Sequence, residues 1–102
     1  TAFVPMDEAL VMVAIDLSGR PFLAFDVDAP PSLIGAYPSE LTAEFLRALA
    51  NAAGITLHVR LFSGQNSHHI HEAVFKALGR ALGEAIRPDE RIVGVLSSKG
   101  VL

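Results

Sequence analysis

Apolar positions along the chain predict three strands. Residues 8–16 are apolar almost throughout, which is typical of a strand that is buried on both faces or nearly so. Residues 22–27 return after a turn at residues 16–21 that contains glycine and proline, so these two segments predict a β-hairpin. Residues 55–61 alternate cleanly between apolar and polar types, which predicts a strand with one face on a core.

Two further segments carry the helical period. The first helix is expected to begin after an N-cap at Ser39, to run to about Ala53 and to stop at Gly54. Its expected apolar stripe is Leu41, Phe45, Leu49 and Ala52. A polar loop at residues 63–67 leads into the second helix, which is expected to end near Pro88. The expected core stripe of this second helix is Val74, Leu78, Ala81, Leu82 and Ala85.

The order of these elements predicts the fold class. Strand, strand, helix, strand and helix are followed by a tail, and residues 28–38 form a proline-containing loop. An antiparallel or mixed sheet with both helices on one face makes a two-layer α+β sandwich. With 102 residues, the chain is expected to form a single domain over residues 1–102, with one core.

Composition narrows the class of protein. The chain is 51% hydrophobic and 19% charged, so a monomer of this size has more apolar surface than it can cover, which favours self-association. The net charge of −3 argues against a nucleic-acid or anionic-membrane binder, because both need a basic face. No apolar run approaches the ~20 residues that span a bilayer, and no signal peptide opens the chain, so a cytoplasmic location is expected.

The side chains most suited to binding a metal or a substrate lie at the start of the second helix. Three of the four histidines, His68, His69 and His71, are followed directly by Glu72. On a helix, His68 and Glu72 stand one turn apart, and Lys76 follows after another turn. The chain has no cysteine, so a metal site must use nitrogen and oxygen ligands, which suits Mn, Fe, Ni or Zn.

A helical wheel places this group roughly opposite the core stripe, with His71 as the exception at the edge of that stripe. The fourth histidine, His58, lies on the non-core face of the preceding strand. Since a strand and the helix after it pack together, His58 is expected to approach the start of the helix. The alternative is a solvated polar face in which each histidine is an ordinary surface or core residue.

Several residues are candidates for binding phosphate or moving protons. Lys76 stands beside the possible metal ligands, and Arg20 lies in a glycine-containing turn. The tail sequence Ser97-Ser98-Lys99-Gly100 is typical of a small nest of hydroxyl and amide groups with a lysine. Asp7 and Glu8 are candidate acid/base carboxylates. Each of these features is also compatible with an ordinary solvated turn, tail or charge pair.

Five segments in order carry a resemblance to a known family. They are PMDEAL at residues 5–10, DLSGRP at 16–21, LHVR at 57–60, GQNSHH at 64–69 with EAVFKA at 72–77, and SKGVL at 98–102. Together they closely resemble the imidazoleglycerol-phosphate dehydratases, enzymes of histidine biosynthesis. The resemblance spans essentially the whole chain, and the set His-His-x-x-Glu at residues 68–72 is its most specific part.

The resemblance implies a fold of two similar α+β halves, of the ribosomal-protein-S5-domain-2-like type, and this chain resembles the second, C-terminal half. The first half carries a metal-ligand set of its own, together with a further metal histidine and a glutamate important for proton transfer. Those residues are not in this sequence. The chain is therefore expected to supply half of each site, and the missing first half is an expected partner.

The resemblance also implies an activity and roles for individual residues. The family dehydrates imidazole glycerol phosphate to imidazole acetol phosphate, using manganese, in a large octahedral homo-oligomer. The implied Mn²⁺ ligands, shared between two ions, are His58, His68, His69 and Glu72. The implied phosphate-binding residues are Arg20, Lys76, Ser97, Ser98 and Lys99. Glu72 and Glu8 are the expected catalytic carboxylates.

The chain departs from the family pattern in its tail, where Leu96 and Ser97 precede Ser98 and the family has Pro-Ser-Thr-Lys-Gly. Two alternatives to a working half-enzyme follow from the missing half. The chain is then either an inactive half-domain that self-associates and binds metal at the histidine cluster, or a homo-oligomer that rebuilds a two-sided metal site from two copies. In either case no nucleic-acid or membrane partner is expected.

Overall fold

Six strands and two helices make up residues 1–88, which are the residues that the computed structural model describes. The strands are β1 (Ala2–Met6), β2 (Ala9–Asp16), β3 (Phe22–Asp26), β4 (Leu33–Ile34), β5 (Tyr37–Pro38) and β6 (Thr56–Ser63). The helices are α1 (Leu41–Ala53) and α2 (Ser67–Ala85). Neither helix is long and apolar enough to cross a membrane.

Four strands form a mixed sheet in the order β1-β2-β6-β3. β6 pairs antiparallel with β2 and parallel with β3, so it lies between them. The predicted direct hairpin between β2 and β3 is therefore wrong. Leu57 and Val59 of β6 are almost completely buried, and a strand with this burial is most stable at the centre of the sheet. The hairpin that does form joins β1 to β2, and Pro5 is accommodated because β1 is an edge strand.

Both helices pack on the same face of the sheet, which confirms the predicted two-layer α+β class. Leu46 of α1 lies in one cluster with residues of the second helix and of the sheet. The buried members of this core are Val4, Val11, Val13, Leu46, Leu57, Val59, Ala73, Val74, Ala77, Leu78 and Ala81. Burying about fifteen apolar side chains against one another is the main term that holds so small a domain together.

Helix α1 differs from the prediction in its start. Ser39 does not cap it, because the Ser39 hydroxyl accepts a hydrogen bond from the Ser32 amide at 2.9 Å. The Ser39 amide also donates to the Ser32 carbonyl at 2.8 Å, so this serine closes the preceding loop. The N-cap is Glu40, which makes no side-chain capping bond, while Gly54 ends the helix in the predicted left-handed conformation.

The predicted apolar stripe of α1 was also wrong in phase, except at Leu49, which packs against the core. The buried residues of α1 are Thr42, Leu46 and Ala50, whereas Leu41 and Phe45 are exposed. Leu46 is completely buried and belongs to the core cluster formed with residues of the sheet and of α2. Phe45 instead contacts the ring of Phe75 on α2, at a centroid distance of 5.8 Å, so it lines a second, exposed aromatic surface.

The two ends of the sheet carry different groups. At one end, a register shift between Leu10 and Val11 leaves an extra residue, Phe62, in β6 just before the loop that leads into α2. The turn between β1 and β2 lies at this same end. At the other end of the sheet, Asp16 pairs with Thr56, and the loop at residues 17–21 connects β2 to β3.

Candidate functional site

The start of helix α2 presents the histidine cluster. Asn66 is its N-cap, with the extended backbone that a cap requires, and the Asn66 side-chain oxygen accepts from the His69 amide at 3.1 Å. Ile70 is completely buried and fixes the rotation of the first turn against the core. The side chains of His68, His69 and Glu72 therefore point away from the core in defined directions, whereas His71 is buried.

His68, Glu72 and Lys76 form a row along the surface of α2. His68 Nε2 lies 3.3 Å from Glu72 Oε2, and Lys76 Nζ lies 3.3 Å from Glu72 Oε1. Their side chains are 61%, 39% and 50% exposed, respectively. The predicted one-turn spacing is confirmed, and it leaves one imidazole nitrogen, one carboxylate and one ammonium group next to each other at the protein surface.

His69 faces the turn between β1 and β2 rather than this row. His69 Nδ1 lies 2.6 Å from Glu8 Oε1, and His69 Nε2 lies 3.5 Å from Asp7 Oδ2. The second oxygen of Glu8, Oε2, accepts hydrogen bonds from the amides of Gln65 and Asn66 at 2.8 and 3.0 Å. Glu8 thus joins the hairpin turn, the loop and the imidazole in one network.

These bonds change the acid–base properties of both partners. The bond from the Gln65 amide, with those from His69 and Asn66, lowers the pKa of Glu8 to about 2. The hydrogen bond with Glu8 raises the pKa of His69 above its ordinary value. Glu8 is therefore an ionised hydrogen-bond acceptor over the whole physiological range. A carboxylate in that state is a poor proton carrier near neutral pH, because its pKa is far from the working pH.

His71 points into the protein, as its place at the edge of the core stripe predicted. It is only 6% exposed, and burial lowers its pKa, which favours the neutral imidazole. His71 Nδ1 shares a hydrogen bond of 2.8 Å with Thr42 Oγ1, and that hydroxyl shares another of 2.8 Å with the hydroxyl of Tyr37. This chain of bonds connects α2, α1 and the small β4–β5 sheet.

An apolar cleft of about 240 Å³ lies beside the His68–Glu72 pair. Its walls are Ile34, Tyr37, His68, His71, Glu72 and Phe75. The rings of Tyr37 and Phe75 meet edge to face at a centroid distance of 6.4 Å. The cleft therefore combines aromatic walls with an imidazole and a carboxylate at its rim.

His58 does not join the cluster. Its neighbours Leu57 and Val59 face the helices, so His58 lies on the opposite, open face of the sheet, where it is exposed. There its ring lies 5.7 Å from that of Phe22. The expectation that strand–helix packing brings His58 to the start of α2 is wrong within one chain, because alternate residues of a strand point to opposite faces.

The predicted phosphate-binding residues are divided in a similar way. Lys76 lies in the row on α2, but Arg20 is in the loop at the far end of the sheet, where its carbonyl accepts from Thr56 Oγ1 at 3.1 Å. β6 separates that end from the histidine cluster, and its eight residues span about 25 Å. The predicted tail residues Ser97, Ser98 and Lys99 lie outside the described residues.

The donor set fits part of a metal site. Two ligands about 2.1 Å from one ion and at right angles to each other lie about 3 Å apart. The His68 and Glu72 donor atoms are 3.3 Å apart, so both can bind one ion after a small side-chain movement. Within residues 1–88 no group of three or more such donors is assembled for a metal. Within residues 1–88, His68 and Glu72 thus present donor atoms in one direction, and His69 presents its ring nitrogens in another.

Two features of the site were not predicted from sequence. The first is the Asn66 cap, although the order Asn-Ser-His before an apolar helical pattern is a recognisable cap signal. The second is the contact between Glu8 and His69, whose positions are 61 residues apart in the chain. No local pattern signals such a contact, since it depends on the β1–β2 turn and the start of α2 meeting at one end of the sheet.

Comparisons with known proteins agree on one family. The family described as "IGPD: Imidazoleglycerol-phosphate dehydratase" matches residues 1–82. The imidazoleglycerol-phosphate dehydratase of Desulfitobacterium hafniense is 61% identical over 99 residues, which cover 97% of this chain and 50% of the relative. That of Acetivibrio thermocellus is 59% identical over 102 residues, covering all of this chain and 52% of the relative.

Solved structures give the same result. The imidazoleglycerol-phosphate dehydratase of Staphylococcus aureus matches with a TM-score of 0.84 and 44% identity, over 87% of this chain and 52% of that chain. The enzyme of Pyrococcus furiosus matches with a TM-score of 0.84 and 44% identity, over 99% of this chain and 55% of that chain. The chain spans about half the length of the relatives it matches.

Proposed function

Because the chain belongs to the imidazoleglycerol-phosphate dehydratase family, we propose that it is the second half of such an enzyme and contributes half of its active site. The observation that carries this proposal is the surface row of His68, Glu72 and Lys76. His68 and Glu72 offer donor atoms for a metal, and Lys76 offers a positive charge beside them. The proposed reaction is the dehydration of imidazole glycerol phosphate in histidine biosynthesis, and the proposed location is the cytoplasm.

The proposed metal is Mn²⁺, which the resemblance to the family implies, and imidazole and carboxylate donors in a chain without cysteine are compatible with this ion. His68 and Glu72 would hold one ion and His69 would bind a second, because their donor atoms point in different directions. When bound, the ions supply positive charge that stabilises negative charge developing on the substrate. Each ion would complete its coordination with donors from the first half or from a neighbouring subunit.

The remaining roles follow from the placement of the side chains. Lys76 would bind the substrate phosphate as a point charge and keep Glu72 oriented through their ion pair. Glu72, at the rim of the aromatic cleft, stays the proposed proton carrier of this half. Arg20 and His58 lie away from the cluster, so the roles expected for them would be fulfilled in the site of a neighbouring subunit.

The deciding experiment measures dehydration of imidazole glycerol phosphate by the purified chain alone and after addition of the first half of a relative. Turnover on addition of the first half is expected, because half a ligand set cannot complete the site. Absence of turnover by the chain in every combination would contradict the proposal and favour the inactive half-domain, whether or not metal is bound.

Metal content provides the matching test of the ligand assignment. In the complemented protein, His68→Ala is expected to lower the manganese content per chain, because it removes one donor of the His68–Glu72 pair. Glu84→Ala is a suitable control, since Glu84 is an exposed carboxylate near the end of the same helix. A His68→Ala protein with the full metal content would refute the assignment.

A further inference from the structure

We infer that Glu8 is the positioning residue for His69 and fixes Nε2 as the nitrogen with which His69 binds metal. This inference rests on the proposed function, in which His69 is a metal ligand. It replaces the acid/base role that the sequence suggested for Glu8.

The geometry distinguishes the two nitrogens of His69. Nδ1 lies 2.6 Å from Glu8 Oε1, which is a short, charge-assisted hydrogen bond. Nε2 lies 3.5 Å from Asp7, whose side chain is 76% exposed, and that separation is too long for a hydrogen bond. Glu8 Oε2 accepts from two backbone amides, so the carboxyl group acts as an acceptor in this network. Nδ1 is then the donor to Oε1, and the lone pair of a neutral ring is on Nε2.

Glu8 is itself held in place from several sides. Its Oε2 accepts from the amides of Gln65 and Asn66, and the same Asn66 caps the helix that carries His69. The carbonyl of Glu8 accepts from Ser63 Oγ at 3.2 Å, next to the end of β6. A carboxylate fixed in this way restrains the rotation of the imidazole ring.

The arrangement is that of a carboxylate behind a metal-binding histidine. Such partners select the ring tautomer, orient the ring and raise the basicity of the ligand nitrogen. Loss of the partner typically weakens metal affinity by about 10- to 100-fold. The chain therefore holds more of the metal site than its direct ligands, and the additional part is supplied by the β1–β2 turn.

The test uses the chain complemented with the first half of a relative, and Mn²⁺ as the probe. Glu8→Gln keeps the size of the side chain but removes its charge, and it is expected to weaken Mn²⁺ binding at the His69 site by about 10- to 100-fold. Glu84→Gln is the matched control, because it makes the same change of charge at an exposed position of the same helix, away from both nitrogens of His69. A change of less than about threefold is expected for this control.

A spectroscopic measurement separates a positioning role from a merely structural one. With diamagnetic Zn²⁺ in the site, ¹⁵N NMR of labelled histidine, assigned with His69→Gln, is expected to show a protonated Nδ1 and a metal-bound Nε2 in the wild type. Metal bound through Nδ1 would overturn the inference. Equal Mn²⁺ affinity in wild type and Glu8→Gln, or equal losses in Glu8→Gln and Glu84→Gln, would also overturn it. In each of these cases Mn²⁺ binding by the wild type leaves the proposed function standing. Failure of the wild type to bind Mn²⁺ would overturn both.

Discussion

At the scale of single residues, the four histidines show how position decides chemistry. His68 is exposed beside a carboxylate and a lysine, and His69 is bound to Glu8. His71 is buried in a hydrogen-bonded chain, and the ring of His58 lies tilted against that of Phe22 on the open face of the sheet. The same imidazole thus has four environments, and only the first two are at the surface near the start of α2.

The buried His71–Thr42 pair gives a prediction at this scale. Thr42→Val removes the hydroxyl and leaves His71 Nδ1 buried without its partner, so it is expected to lower the free energy of unfolding by about 1–3 kcal/mol. In a His71→Leu background the same change leaves no unpaired imidazole, and its cost is expected to fall by at least about 0.5 kcal/mol.

Urea unfolding of the wild type, the two single variants and the double variant measures this coupling. Strictly additive costs would show that the two side chains are independent and that the 2.8 Å contact contributes nothing to stability. The variants should be compared without metal, so that binding at the nearby His68 does not alter the apparent stability.

At the scale of elements, the connection from β6 to α2 is the most constrained segment of the fold. Gly64 has φ of +148°, and an added Cβ would lie 2.9 Å from Ile70 Cγ1 and 3.1 Å from Ala9 Cβ. The backbone must pass this closely because the loop crosses from the end of the sheet to the start of the helix in three residues. Its path places the amides of Gln65 and Asn66 against Glu8.

Substitution of this glycine tests that constraint. Gly64→Ala is expected to destabilise the fold by about 1–3 kcal/mol, since it adds both backbone strain and a steric clash with buried residues. Gly79→Ala is the matched control, because Gly79 is exposed in the middle of α2 with open space around its Cα. That change is expected to stabilise by about 0.5–1 kcal/mol through helix propensity. Equal effects of the two substitutions in thermal or urea unfolding would contradict the account.

The same scale shows what the sequence could predict. The alternation in residues 55–61 and the core stripe of α2 were predicted because each depends only on local period, and Leu57, Val74 and Leu78 are buried as expected. Strand order was not predicted, since β6 lies between β2 and β3 although α1 separates it from both along the chain, and no local pattern signals such a distant pairing. The phase of α1 failed for a related reason, because a surface aromatic such as Phe45 has the same hydrophobicity as a core residue.

The candidate site likewise has one part that local spacing predicts and another that depends on the tertiary fold. The row of His68, Glu72 and Lys76 follows from helical spacing alone, and it is present. The wrong position of His58 and the unforeseen partnership of Glu8 with His69 both arise from which face or end of the sheet a strand residue occupies. The alternation of residues along a strand assigns them to two faces. The sequence does not show which face or end of the sheet will lie beside the start of a distant helix.

At the scale of the whole molecule, the domain has two surfaces suited to further contacts. One is the α2 row with its aromatic cleft. The other is the open face of the sheet, where the rings of Phe3 and Phe62 lie 5.8 Å apart and the guanidinium of Arg60 lies 5.0 Å from the Phe62 ring centroid. Phe3 and Phe62 are about half exposed, so together they form an apolar patch on this face.

The α2 row predicts metal-dependent association of the chain with a second copy. A Mn²⁺ ion held by His68 and Glu72, as proposed above, would need further donors, and another chain would supply them. A metal that binds the associated state more tightly shifts the equilibrium toward that state.

Sedimentation velocity of the purified chain is therefore expected to show a larger mass with Mn²⁺ than with a chelator. His68→Ala is expected to abolish this difference in mass. Glu84→Gln, a change at an exposed residue near the end of the same helix, is expected to retain it. A mass that does not change with Mn²⁺ would show that the chain alone cannot rebuild a two-sided site, and that the donors completing it belong to the first half.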